Sequence, residues 1–222
     1  MKTHARLMGG AICAVVLSVA AALAAAPGPG EVALDVRDFR IIPRESGKVD
    51  YYRVVPEARP YIRAEYKPAY DTAVLGVRVA DADRERARTL KWSWRAVTLP
   101  SGGNECANGK GDSAAVVYAT WKRGLRYYTL KYVWSAVGPK GAVCDQKRNP
   151  FVAQDTVVLE SGGPLGEWRT ESVDLKAEFR KHFEKGDPNA SVPDFLGVAI
   201  MTDGDQTKSE SVADYADFVL GR

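Results

Sequence analysis

The chain has 222 residues, 45% of them hydrophobic, and carries 31 basic against 28 acidic side chains for a net charge of +3. Such a length suits one β-rich domain. A near-neutral chain is no electrostatic trap for nucleic acid or anionic lipid, so the sequence pI of about 8.7 is not a nucleic-acid signature, and no nucleic-acid partner is expected.

Lys2, His4 and Arg6 form a basic head, Ala11 to Ala26 is an apolar run broken only by Ser18, and Ala22-Leu23-Ala24 is a small-x-small exit. That pattern predicts a signal peptide over 1–24, a linker over 25–30 and one domain over 31–222. The run falls short of the roughly 20 residues a spanning helix needs, so no stable membrane insertion is expected after cleavage. The expected location is periplasmic or secreted. Loss of Lys2 and Arg6 leaves 29 basic against 28 acidic residues, a charge of +1. Cys13 leaves with the leader. Cys106 and Cys144 remain, and an even pair in an exported chain predicts a disulfide.

Beyond the linker the chain reads as short strands. Residues 31–40 alternate weakly and predict a first strand, followed by strands over 50–55, 61–66 and 73–79. Asp81 to Arg88 is charged and reads as a turn of helix or a loop. The centre, from Leu90 to Trp134, holds LKWSWRAVTLP, a Gly-rich loop, AAVVYATW and LRYYTLKYVW. Period-two counting puts Trp92 and Trp94 on one face, and likewise Tyr128, Leu130, Tyr132 and Trp134. Residues 153–160 and 167–172 predict further strands. Asp174 caps a helix in which Leu175, Phe179 and Phe183 recur at helical spacing before Gly186. Strands over 195–201 and 213–220 close the chain. With no alternation of strand and helix, the expected fold is all-β: an antiparallel two-sheet β-sandwich, jelly-roll and galactose-binding-like, with one short surface helix.

The ordered segments WSWR at 92–95, GDSAAVVY at 111–118, YVW at 132–134, VVLESGGPLGEWRTE at 157–171, IMTDGDQT at 200–207 and DYADFVL at 214–220 resemble the exported bacterial proteins grouped as DUF3047. The resemblance spans nearly the whole mature chain and implies a jelly-roll resembling carbohydrate-binding modules. It supplies no activity. The family pairs two acids after the glycine, whereas Asp112 here precedes Ser113, and the Cys106 loop is peculiar to this chain.

Three constellations carry chemistry. Oxygen side chains at Asp203, Asp205, Thr207, Ser209 and Asp214 fall at the alternate places of a calcium loop, which makes Asp203, Asp205 and Asp214 candidate ligands of a structural calcium, the one cofactor suggested. Against this, Lys208 stands where such a loop needs glycine and strands rather than helices flank it, so it is no EF-hand, and the competing reading is a solvated turn capped by its aspartates. The second constellation is aromatic and polar. Trp134 could stack on a sugar while Arg95 and Asp112 pair with its hydroxyls, and Asp203 and Asp205 add a second polar group. The bland alternative makes these rings core. The third is a carboxylate pair among Glu160, Glu167, Glu171, Asp203 and Asp205, although spacing alone cannot bring two of them together, and no catalytic residue is assigned. His182, beside Phe179 and Phe183, reads as a partly covered surface residue. The function expected is therefore a binding protein for a glycan or other polar envelope component. A polysaccharide lyase or hydrolase on the same scaffold and a structural factor of the envelope are the alternatives.

Overall fold

A computed structural model describes residues 27–43 and 51–222. The expected signal peptide lies outside the described residues. Two sheets face one another across an aromatic core. Sheet one has 6 strands: β11 (Arg169–Asp174), β6 (Thr89–Thr98), β13 (Ser211–Gly221), β4 (Tyr61–Tyr66) and β3 (Tyr52–Val55) in that order, with β1 (Glu31–Leu34) also pairing β13. Sheet two has 7, ordered β2 (Arg40–Ile41), β5 (Val74–Arg78), β12 (Phe195–Met201), β7 (Ser113–Arg123), β8 (Arg126–Ser135), β10 (Val152–Ser161) and β9 (Val143–Arg148). The chain crosses between layers from β4 through β7 and again from β10 through β13, which is jelly-roll connectivity.

Pairing is antiparallel except between β8 and β10, which run parallel. The reason is β9, absent from the sequence expectation because its exposed, charged VCDQKR has no apolar alternation. It runs along the far edge and returns the chain so that β10 enters between β8 and β9. The expected first strand is also divided. A 3₁₀ turn at Val36–Asp38 carries the chain from β1 in sheet one to β2 in sheet two.

Alternation builds the core as expected. Trp92 and Trp94 of β6 and Tyr132 and Trp134 of β8 are essentially solvent-free. Their rings touch at 5.6 Å (Trp92–Trp94), 5.5 Å (Trp92–Tyr132) and 5.9 Å (Trp94–Trp134). The Trp92–Trp94 and Trp94–Trp134 contacts are edge-on, so that a ring edge meets a neighbouring π face, and Trp92–Tyr132 is tilted. The hairpin between β7 and β8 turns through Gly124 at positive φ and Leu125, with Arg123 opposite Arg126; a tight two-residue turn favours glycine for that backbone. The helix over Leu175–Phe183 starts at Asp174, whose carboxylate accepts from the Lys176 and Ala177 amides. It ends where the Gly186 amide, at positive φ, reaches back to Arg180 O. Its buried Phe179 packs on Trp121 and Tyr128. No helix among the described residues is long and apolar enough to cross a membrane.

The outer face of sheet two is not bare. Val116, Val133, Val158 and Met201, whose side chains alternate away from the main core, form a second small buried cluster with Tyr118 and Ala142 beside it. Beside it, around one cavity with Met201, lie the 99–112 loop and β9. The Cys106–Cys144 disulfide joins them, as the sequence predicts. Gly103 fixes the base of the first loop: its carbonyl accepts from the Ala136 and Val137 amides and from Ser135 Oγ. A Cβ at Gly103 would lie 2.5 Å from Asp112 O, so only glycine fits this approach.

Candidate functional site

The 99–112 loop and β9, tied by the disulfide, wall a cavity of about 620 Å³ on sheet two, lined among others by Glu105, Cys106, Asn108, Lys131, Asp145, Lys147, Asp203, Asp205 and Gln206. Lys131 rises from β8 on the outer face. Its ammonium donates to Glu105 Oε2 at 2.7 Å, and the side chains are 9% and 3% exposed. Ser113 Oγ donates to the other Glu105 oxygen at 2.9 Å. A buried ion pair of this kind holds only because each partner has its counter-charge and hydrogen bonds. Burial pulls the Lys131 ammonium down, but the Tyr118, Glu105 and Asp203 side chains outweigh it and hold the group above an ordinary lysine.

Asp203 and Asp205 come from the loop between β12 and β13. Gly204 between them has room for no side chain, since a Cβ would sit 2.1 Å from Ser209 O. Asp203 is buried, and its Oδ1 accepts from the Ser113 amide at 3.1 Å. Desolvation pushes its carboxyl from 3.8 up to about 8, with Lys131 opposing and Glu105 reinforcing. Asp112, fully buried at the entry to β7, accepts from the Gln206 amide at 3.2 Å and the Thr207 amide at 2.6 Å. Asp205 is raised by burial and by the hydrogen bond and charge of Asp112. Asp112, Asp203 and Asp205 each offer a carboxylate oxygen within 4.8 Å of the others, close enough to share one divalent cation or one proton network.

The structure thus brings together Asp112, Asp203 and Asp205 and separates the other expected residues from them. Asp214 is no neighbour of the loop carboxylates. It points out of sheet one, fully buried between Arg63 and Arg95, which use both its oxygens. The expected grouping of Asp203, Asp205 and Asp214 is therefore corrected: the carboxylate beside Asp203 and Asp205 is that of Asp112. The hydroxyls of Thr207 and Ser209 bond each other at 2.7 Å, and Ser209 also accepts from the Ser101 amide. Arg95 is on the opposite sheet from Asp112, so the two do not form one pair for hydroxyls. Trp134 is also corrected. At 1% exposure, with its indole N–H donating to Gly162 O, it cannot stack on a ligand. Glu171 accepts from the Trp94 indole at 3.3 Å and is raised by burial and by Glu160, away from the cavity.

His182 departs from expectation as well. Its side chain is 3% exposed, with Nδ1 2.8 Å from Asp155 and Nε2 3.5 Å from Glu178. Burial lowers its pKa, but the two carboxylates raise it further, for a net increase. Sequence reading missed Glu105 and Lys131. The one signal for them was Lys131 lying on the outward parity of an aromatic strand, beneath a loop pinned by a cysteine.

The family pattern described as "Protein of unknown function (DUF3047)" matches residues 40–219. The chain belongs to this family. No curated protein sequence matches the DUF3047 chain. It is similar in structure to the family 11 carbohydrate-binding module from Clostridium thermocellum in complex with a beta-1,3-1,4-mixed-linked tetrasaccharide (TM-score 0.43, 10% identity, covering 87% of this chain and 96% of that one). It is similar also to the xyloglucanase domain of NopAA, a type three effector from Sinorhizobium fredii, in complex with cellobiose (TM-score 0.45, 11% identity, 87% and 99%). A third is endoglucanase 3 of family GH12 from Trichoderma harzianum (TM-score 0.35, 9% identity, 86% and 96%). Likeness at this level transfers neither ligand nor residue role.

Proposed function

We propose that this DUF3047 protein is an exported binding protein that holds a hydroxyl-rich ligand, the end of a glycan, in the cavity walled by the Cys106–Cys144 disulfide. The observation that carries the reading is the cavity floor: a charged Lys131–Glu105 pair and the buried Asp203 beneath a space of about 620 Å³. That volume lies within the range of about 300–1,000 Å³ that small-ligand sites occupy. Carboxylates accept from sugar hydroxyls, while Lys131, Lys147, Asn108 and Gln206 can donate to ring and hydroxyl oxygens. Because the floor is held by buried bonds, little ordering cost falls on binding. The disulfide supports an oxidising, extracytoplasmic location.

A glycan array with intact protein tests the reading. Binding to at least one oligosaccharide, lost in both Asp203→Asn and Lys131→Met proteins of native fold, is the expected outcome; silence across bacterial and plant glycans refutes it. Hydrolysis is the second reading, favoured by the closeness of the Asp112, Asp203 and Asp205 carboxylates, since glycoside cleavage uses two acids flanking one bond. Release of reducing ends that vanishes in Asp203→Asn would decide for it. The same carboxylates are our proposal for calcium.

A further inference from the structure

The outer face of sheet one carries a constellation that the cavity does not use. Tyr61 and Arg63 on β4, Arg95 on β6 and Asp214 on β13 all point away from the core, and Asp214 lies in register with both arginines. Asp214 accepts from Arg63 Nε at 2.6 Å and Nη2 at 2.7 Å, and from Arg95 Nε at 2.5 Å. Arg59 pairs with Asp217 at the β13 bulge. Trp168 stands over the same face, with the guanidinium carbons of Arg59 and Arg95 4.1 Å and 4.7 Å from its ring centre. Tyr61 continues the row, 5.4 Å from Arg95 and 5.7 Å from Arg63.

Three guanidiniums here share two aspartates, so the row keeps one positive charge in excess. The neighbouring Arg53–Glu65 and Lys91–Glu31 pairs cancel internally. Arg95 spends only its Nε on Asp214; among the described residues its two Nη groups have no hydrogen-bond partner. The arginine side chains are 21–23% exposed, so each is largely covered and partly open to solvent, and Arg59 Nε is buried without a hydrogen-bond partner. Ring contacts and the Asp214 bonds hold the heads in place, which lowers the entropy lost when a ligand docks. Next to the row lies a groove of about 460 Å³, lined among others by Pro60, Ser93, Thr170 and Asp217 and by the Lys91–Glu31 and Arg37–Asp35 pairs. The Trp168 ring already has two guanidiniums against it, which disfavours simple stacking of a neutral sugar. An outward guanidinium fork matches the paired oxygens of an oxyanion.

We propose that this face is a second binding site, for an oxyanion (carboxylate or phosphate) carried on an extended chain that lies in the groove. The proposal stands independently of the cavity. Trp168 is the reporter, because Trp92, Trp94, Trp121 and Trp134 are all buried. Tryptophan emission of the intact protein is followed during titration with oligogalacturonate, a neutral oligosaccharide of matched length, and inorganic phosphate. Oligogalacturonate should shift the emission, more weakly at higher salt, and the neutral oligomer should not. Arg95→Lys keeps a cation beside Asp214 but loses the fork, and Arg59→Gln leaves Asp214 untouched; each should weaken the response at least tenfold. A Trp168→Phe protein should lose the signal, and Asp203→Asn should keep it, which separates this site from the cavity. A phosphate response equal to that of oligogalacturonate assigns the site to oxyanions generally, and a weaker one adds the groove to recognition. No response to either anion, an equal response to the neutral oligomer, or an undiminished response in both arginine variants overturns the proposal.

Discussion

Asp203 shows how much a single residue's surroundings decide. In the sequence it is one acid among many in a polar loop; in the fold it loses water and faces Glu105, so its carboxyl rises from 3.8 to about 8. A raised carboxyl pKa means that folding takes up a proton. Its stabilising contribution is complete below about pH 4 and drains away as pH climbs through about 8. The melting temperature in chelator should therefore fall between those limits, and Asp203→Asn should flatten the slope; an unchanged slope would mean that Asp203 titrates normally. Calcium would reverse part of this by holding the carboxylates ionised. Millimolar calcium should raise the melting temperature of the wild type but not of Asp205→Ala, and no shift in the wild type would remove the cation. At this scale sequence reading found Asp203 and Asp205 from the spacing of a calcium loop, and Asp112 only as a partner of Arg95 for hydroxyls, without placing the three together. It misplaced Asp214 because loop spacing says nothing about β13, where strand alternation turns that side chain toward Arg63 and Arg95.

Among the elements, the disulfide and the 99–112 loop and β9 that it joins matter most for the site. They wall the cavity, whose lining includes Met201 of the small outer cluster. Cross-linking residues separated by 38 positions restricts the unfolded chain by about 4 kcal/mol in the chain-entropy account. A Cys106→Ser/Cys144→Ser protein should lose about 2–4 kcal/mol in denaturant unfolding, and its cavity loops should exchange amide hydrogens faster than sheet one does. Equal protection in the two proteins would show that the loops hold without the bond. The helix adds a second pH-sensitive joint at His182. Its raised pKa means that His182 stabilises most below its ordinary 6.5 and that the contribution is lost as pH rises through the higher folded value. His182→Gln should remove that component from the melting profile, and an identical profile would contradict it. The strands were legible where apolar residues alternate, as in β6 to β8. The parallel entry of β10 was not, because β9 is an exposed edge whose composition matches a loop.

Across the whole molecule, two layers close over a row of indoles and leave two unlike outer faces. Sheet two bears the acidic, disulfide-walled cavity, and sheet one the arginine row. The core was readable from period two alone, and the same counting cast Trp134 as core or ligand platform without choosing between them. Only the opposing layer, which brings Trp94 to 5.9 Å, settles that choice. Trp134→Ala should cost about 3–5 kcal/mol, the usual loss for a large buried ring; a cost under about 1 kcal/mol, typical of surface changes, would contradict the packing. The division of labour between the faces is the central claim, and amide hydrogen exchange with and without the best neutral oligosaccharide from the glycan array tests it most directly. The account predicts new protection confined to residues 101–112, 129–133, 143–148 and 202–207, all around the cavity. Protection on other elements, with these segments unchanged, would contradict it.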